Sequence, residues 1–293
     1  MVLTKSITRL IFGLAIGFTA LFLIMFGGMP LALLCIIIVI LGAKEYSQIL
    51  KNKGFTPSYK IIVISSMIFA IIAYFNRLDL LPLAIIVSTF MAFMWVLFRG
   101  KQPYIANVAT TILGFVYCGL FPLHLLLLRD IGCCEPVFKG LIKTNPSMEG
   151  AAYAVLLLLA VILTDSCCYY AGMMFGKHKL SEVISPNKTV EGAIGGTLMC
   201  VIFCLIFGIF VFNLPWYHAF ILGFLIAMFA QIGDLCESMI KRDAGVKDSS
   251  DIIPGHGGFL DRTDSYVLTI PVVYYYLQFF VQNNFLDTLK GLF

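Results

Sequence analysis

Apolar residues run almost unbroken along the chain, interrupted by short polar or Gly/Pro-rich stretches. A hydrocarbon core of about 30 Å is crossed by about 20 helical residues. Runs of that kind lie at roughly 7–26, 29–49, 60–76, 80–98, 105–128, 151–175, 192–213, 216–237 and 265–282, which predicts about nine transmembrane helices. Breakers separate them: Gly27-Gly28, Pro57, Pro82, Pro103, Pro146, Pro186, Pro215 and Pro254. The third run is short and ends at Asn76-Arg77. The first follows Lys5 and Arg9, is long for the apolar region of a signal peptide, and meets no small-x-small cleavage site. It therefore reads as an uncleaved first span. The expected fold class is all-α, a polytopic integral membrane protein.

Composition narrows the function classes. Of 293 residues, 60% are hydrophobic and 12% charged, about half the roughly 25% charged content of a soluble domain. Mean hydropathy is +0.95. These values exclude a soluble enzyme, a disordered chain and a nucleic-acid-binding domain. The nine cysteines sit mostly in apolar runs (Cys35, Cys118, Cys200, Cys204), as small hydrophobes do. With no Cys-x-x-Cys pair and scattered histidines, a structural zinc site is not expected.

Charge placement gives an orientation. With nine spans, fifteen Lys and Arg fall on the side of the N-terminus and five on the other. The N-terminus and the loops 176–191 and 238–264 are then cytoplasmic. Ten of the sixteen acidic residues lie between Asp165 and Asp264. Residues 1–130 read as a scaffold of about five helices, and 151–293 as the catalytic region. No internal repeat of the kind found in secondary transporters is visible, and nothing in the loop from Asp130 to Gly150, with its Cys133-Cys134 pair, suggests a site.

Four segments carry candidate chemistry. Asp234, Ser238 and Lys241 are spaced i, i+4, i+7, so a carboxylate, a hydroxyl and an ammonium share one helical face. Such a face could hold a metal ion and a phosphate together; ordinary snorkelling and an i, i+4 pair of Glu237 with Lys241 would explain it as well. The turn Pro254-Gly255-His256-Gly257-Gly258 could aim successive N–H groups at an anion. Asp261 and Asp264 are spaced i, i+3 around Arg262. Paired carboxylates suit Mg²⁺ and Arg clamps phosphate, whereas helix capping, worth about 1 kcal/mol, explains one Asp better than two. In Ser185-Pro186-Asn187-Lys188-Thr189-Val190-Glu191-Gly192, Lys188 offers charge, Ser185 and Thr189 offer hydroxyls, and Glu191 could cap the next helix or orient Lys188.

Two further readings follow. Gly192, Gly195 and Gly196 suit close helix packing and not a dinucleotide fingerprint, because no strand is expected before them. Asp165 lies mid-run, where a carboxylate costs at least about 2.5 kcal/mol, so it should face an interior cavity. Together these segments fit a metal-assisted reaction on phosphates at one membrane face.

The run from Ser238 to Asp264 resembles the signature of the phosphatidate cytidylyltransferases (CDP-diacylglycerol synthases). It matches at Ser238, Lys241, Arg242, Lys247, Asp248, Pro254, His256, Gly257, Gly258, Asp261, Arg262 and Asp264. The segments Gly233-Asp234-Leu235, Ser185 to Gly192, Phe175-Gly176-Lys177-His178 and Thr164-Asp165 also look like family motifs. The motifs cover about residues 164–265, and the N-terminal half is similar only in hydropathy. Cys167-Cys168 and Asn187 depart from the family pattern, Asn187 replacing a common Lys.

The resemblance implies transfer of CMP from CTP to phosphatidate, giving CDP-diacylglycerol and pyrophosphate. It implies an all-helical fold, often a homodimer, in the lipid bilayer, with Mg²⁺ and, in relatives, a monovalent cation such as K⁺ beside it. It assigns catalysis to Asp234, Asp261 and Lys241, and metal binding to Asp234, Asp261, Asp264 and Asp248. Substrate binding falls to Ser185, Lys188, Ser238, Arg242, Lys247, His256 and Arg262. The expected location is a bacterial inner (plasma) membrane. Two alternatives are another CTP-dependent lipid transferase (a polyprenol kinase or an archaeal ether-lipid cytidylyltransferase) and an ion transporter using Asp165 and Asp234.

Overall fold

The computed structural model describes residues 2–132, 138–139, 142–143, 148–250 and 257–282, and nearly all of these are helical. The helices are α1 (Val2–Phe26), α2 (Gly28–Asn52), α3 (Tyr59–Tyr74), α4 (Leu81–Arg99), α5 (Tyr104–Gly114), α6 (Phe121–Arg129), α7 (Met148–Phe175), α8 (Val190–Phe210), α9 (Trp216–Asp243) and α10 (Leu260–Tyr276). A π-helical segment, Phe115–Leu120, joins α5 to α6, and another, Leu277–Gln282, follows α10. Each apolar run of the sequence lies on helix, and the chain is an integral membrane protein. Six described helical stretches are by themselves long and apolar enough to cross a membrane, against about nine expected: Gly28–Asn52, Leu78–Arg99, Tyr104–Arg129, Met148–Phe175, Val190–Phe210 and Trp216–Asp243. Of the other three expected spans, Tyr59–Tyr74 is a shorter apolar helix, the run 265–282 falls mostly on the 17-residue α10, and the described apolar part of α1 is Ala15–Phe26.

Two hairpins complete the described elements. Strands β1 (Phe138–Lys139) and β2 (Ile142–Lys143) pair antiparallel, as do β3 (Lys179–Ser181) and β4 (Ser185–Thr189). The second hairpin occupies the expected loop 176–191 and puts a strand directly before α8, where none was expected. It is a two-stranded antiparallel unit and not the parallel crossover of a dinucleotide fold, so the glycines of α8 keep their packing role.

The chain divides into two compact units. The first takes Met1–Leu127, Glu135–Pro146 and Met239–Thr263; the second takes Leu128–Cys134, Ser147–Ser238 and Asp264–Phe293. In the first, Leu31, Tyr46, Ile49, Ile62, Phe69 and Phe115 are fully buried, and the Phe69 and Phe115 rings meet edge-on at 5.9 Å. Polar bonds fix the α2–α3 turn against α5: Thr56 N donates to Asn107 Oδ1 at 2.7 Å, and Ser58 N to Thr111 Oγ1 at 3.0 Å. In apolar surroundings such bonds supply what water cannot. The Phe115–Leu120 segment brings Gly119 so near α3 that a Cβ would lie 2.1 Å from Ser66 Oγ.

In the second unit small residues let helices approach. A Cβ on Gly192 would stand 2.6 Å from Cys168 O, and one on Gly196 would stand 2.2 Å from Cys168 Sγ, so α8 lies directly on α7. Gly223 allows α9 the same closeness to α8, with Val201 Cα 2.8 Å from the added carbon. Gln231 Nε2 donates to Thr197 Oγ1 at 3.0 Å across that contact. Cys35, Cys118, Cys200 and Cys204 are buried among apolar neighbours, as expected.

Candidate active site

The first unit assembles a carboxylate network around Asp261. Lys241, near the end of α9, donates from Nζ to Asp261 Oδ1 at 2.6 Å. The pair is well enclosed, with side chains 12% and 9% exposed. Asp261 Oδ2 accepts from Gly258 N at 2.8 Å, Ser249 Oγ at 2.9 Å and Ser249 N at 3.0 Å. A carboxylate has about four lone-pair sites, and these donors fill them. Gly258 N, in the glycine turn, therefore points at the protein's own Asp261, and the two amides that follow the turn, Phe259 N and Leu260 N, point at Glu45.

That arrangement explains the two described glycines. Gly257 has φ +80°, the left-handed region open to glycine. A Cβ on Gly258 would lie 2.0 Å from Ser249 Oγ and 2.5 Å from Glu45 Oε2. The remaining motif residues of this unit form an exposed fringe: Arg242, Lys247, Asp248 and Arg262 are all exposed, with Arg242 Nη1 3.5 Å from Val246 O. Pro254 and His256 lie outside the described residues, as do Cys133 and Cys134.

The second unit assembles a more open cluster. Lys188, near the end of β4, reaches Asp234 of α9 at 2.5 Å, with both side chains about 30% exposed. Ser238 Oγ donates to Asp234 Oδ1 at 3.4 Å, the i, i+4 contact read from the sequence. Gly233 lets the start of α10 come against α9 here, since a Cβ would meet Asp264 O at 2.5 Å. Asp264 Oδ1 accepts from Ser265 N at 2.8 Å, and Ser265 Oγ donates to Asp165 Oδ2 at 3.2 Å. Asp165 is within electrostatic reach of Asp234 and Lys188. It was expected to face an interior cavity; its side chain is exposed on one side and bonded to Ser265 on the other. Ser185 is half-buried on β4, opposite Ser181.

Of the two tasks expected of Glu191, the helix cap falls to another residue. The α8 cap is Thr189, whose hydroxyl accepts from Gly192 N at 3.2 Å. Glu191 instead reaches back, accepting from Lys177 N at 3.0 Å and lying 2.6 Å from His178 Nδ1. It thereby ties the turn after α7 to the head of α8 and fixes the hairpin that carries Lys188.

Hard oxygen donors suit Mg²⁺, which commonly takes one or two carboxylates and completes its shell with water and phosphate. Asp234 with Ser238 fits that requirement, being half-open and held by one ammonium. Asp261 fits it only by exchange, since its oxygens are already filled. Among the described residues no group of three or more His, Cys, Asp and Glu is placed to hold a metal by itself. The residue that sequence reasoning missed is Glu45, on α2. Nothing local distinguishes it from a helix-end charge beside Lys44; its partners lie more than 200 positions downstream.

Comparison with known proteins matches residues 7–280 to the cytidylyltransferase family model. A phosphatidate cytidylyltransferase from Synechocystis sp. is 34% identical over 290 residues, covering 94% of this chain and 96% of its own length. The chloroplastic phosphatidate cytidylyltransferase 4 of Arabidopsis thaliana is 33% identical over 292 residues, 92% of this chain and 73% of that protein. A shorter match, 49% identical over 126 residues, covers 43% of this chain and 48% of a phosphatidate cytidylyltransferase from Staphylococcus saprophyticus.

Proposed function

The chain belongs to the cytidylyltransferase family, from which we infer that it transfers CMP from CTP to phosphatidate, forming CDP-diacylglycerol and pyrophosphate. The observation that carries this reading is the match to a phosphatidate cytidylyltransferase over almost the whole of both chains. The geometry supports it: Lys188 and Asp234, from two separate motif segments, meet as a half-open pair of opposite charges built for phosphate chemistry.

In the reaction, an oxygen of the phosphatidate phosphate attacks the α-phosphorus of CTP. A new P–O bond forms, the bond to the β-phosphate oxygen breaks, and pyrophosphate carries away the electron pair. The monoester is largely dianionic near pH 7, since its second pKa lies near 6, so the protein need not supply a strong base. Its task is positioning and charge neutralisation. Lys188 would leave Asp234 to neutralise a substrate phosphate, with Ser185 and Ser238 as hydrogen-bond donors nearby in the sequence motifs. Arg242, Lys247, His256 and Arg262 would hold phosphate or head group. Lys241, held by Asp261, would present a fixed positive charge.

Asp234 would hold Mg²⁺, with Asp264 of the same unit as a further oxygen donor; Asp165 would support a second, monovalent cation such as K⁺. When bound, Mg²⁺ neutralises charge that builds on the leaving pyrophosphate. The acyl chains would stay in the bilayer, and by family resemblance the enzyme would be a homodimer in a bacterial inner membrane. The fifteen-to-five distribution of Lys and Arg supports a cytoplasmic N-terminus and motif loops.

Position-labelled CTP tests the reaction. Detergent–phosphatidate micelles are supplied with CTP labelled at the α- or the γ-phosphate, with Mg²⁺ or EDTA. α-Label entering lipid only with Mg²⁺ is the expected result. γ-Label entering polyprenol would assign a kinase instead.

A further inference from the structure

Glu45 stands on α2, in the half of the chain that carries no recognised motif, and is fully buried. Its two oxygens take four hydrogen bonds. Oε1 accepts from Ser250 Oγ at 2.6 Å and Phe259 N at 3.0 Å; Oε2 accepts from Leu260 N at 2.8 Å and Ser249 Oγ at 3.1 Å. One carboxylate therefore ties Ser249 and Ser250 to Phe259 and Leu260. Ser249 links it onward, because its single hydroxyl proton is shared between Glu45 Oε2 and Asp261 Oδ2, the latter 2.9 Å away, and its N donates to the same Asp261 oxygen at 3.0 Å. Gly258 is pressed between Ser249 and Glu45 with no room for a Cβ and gives its own N–H to Asp261. Two of the donors that orient Asp261 are therefore held in place by Glu45.

We propose that Glu45 is a positioning residue for the transfer reaction. Through Ser249 and the Gly258 turn it fixes the Asp261 carboxylate, which in turn fixes the Lys241 ammonium. The inference rests on the proposed cytidylyltransferase reaction and adds a residue from the N-terminal helices to it. A simpler role is available to the same carboxylate. Phe259 N and Leu260 N are unpaired-end donors at the head of α10, and Glu45 satisfies them as any buried cap would. The two roles differ in what fails when the charge is removed. A cap releases only Phe259 and Leu260; a positioning residue also releases Ser249 and Gly258, whose amides bond to Asp261.

The test uses the full chain in lipid nanodiscs, with Glu45→Gln and Ser249→Ala. Ser249→Ala keeps three of the four Glu45 bonds and removes only the bridging hydroxyl, so it serves if the Gln variant does not fold. Hydrogen exchange at the Ser249 and Gly258 amides should rise about tenfold or more in Glu45→Gln, and at Gly258 in Ser249→Ala. kcat should fall about tenfold with the CTP KM changed less than about threefold. In an Asp261→Asn background Glu45→Gln should cost less than about twofold more, because both act through one carboxylate. Unchanged exchange at Gly258 in both variants, or a full additional loss in the Asp261→Asn background, would overturn the proposal. A wild-type chain that makes no CDP-diacylglycerol would sink the functional reading, while the exchange result would still decide whether Glu45 positions Asp261.

Discussion

Both units of this enzyme hold a lysine against a motif aspartate, yet the two pairs are built for different work. In the first unit Lys241 and Asp261 are enclosed, and Asp261 takes three further donors from Ser249 and Gly258. In the second, Lys188 and Asp234 are about 30% exposed, and Asp234 takes a long further bond from Ser238. A filled, dry carboxylate resists change, whereas a half-open one can trade its partner for a phosphate or a metal. The comparison separates a fixed charge array from an exchangeable one, although the sequence motif displays all four residues alike.

Mutations should break this contrast in a graded way. Lys241→Met leaves Asp261 charged in an enclosed site, so it should cost about 3 kcal/mol of stability and abolish turnover, read by thermal unfolding and label transfer. Gly258→Ala must displace Ser249 or Glu45 and should cost about 1–3 kcal/mol, with activity falling in step. Lys188→Met removes only a half-exposed pair. Its stability should stay within about 1 kcal/mol of wild type, while turnover falls at least about tenfold through lost charge stabilisation. Lys53→Ala breaks an exposed pair with Asp243, with side chains 39% and 62% exposed. It should shift stability by less than about 0.5 kcal/mol, and less still in high salt.

The helices were legible because each apolar run is long and bounded by Gly, Pro or charge. That α8 packs closely against a neighbour was legible too, from glycines at 192, 195 and 196, though not that the neighbour is α7. The hairpin was not: Ser185-Pro186-Asn187-Lys188-Thr189 lacks the alternating β-branched pattern of a strand and contains a proline. Helical spacing gave the Ser238–Asp234 contact, but no spacing rule links Lys188 to Asp234 or Glu45 to Leu260. Those contacts join segments far apart in the sequence. The glycine turn read as an anion cradle because its N–H groups are available in principle. The structure spends Gly258 N on Asp261 and the two amides after the turn on Glu45, and a local pattern cannot announce such an acceptor.

The most direct measurement is turnover and Tm together for Asp234→Asn, made beside Lys241→Met. If Asp234 is the exchangeable carboxylate, turnover should fall about 100-fold or more while Tm moves by less than roughly 3 °C. Turnover within twofold of wild type, or a fall in Tm as large as that of Lys241→Met, would contradict the division of labour between the two pairs.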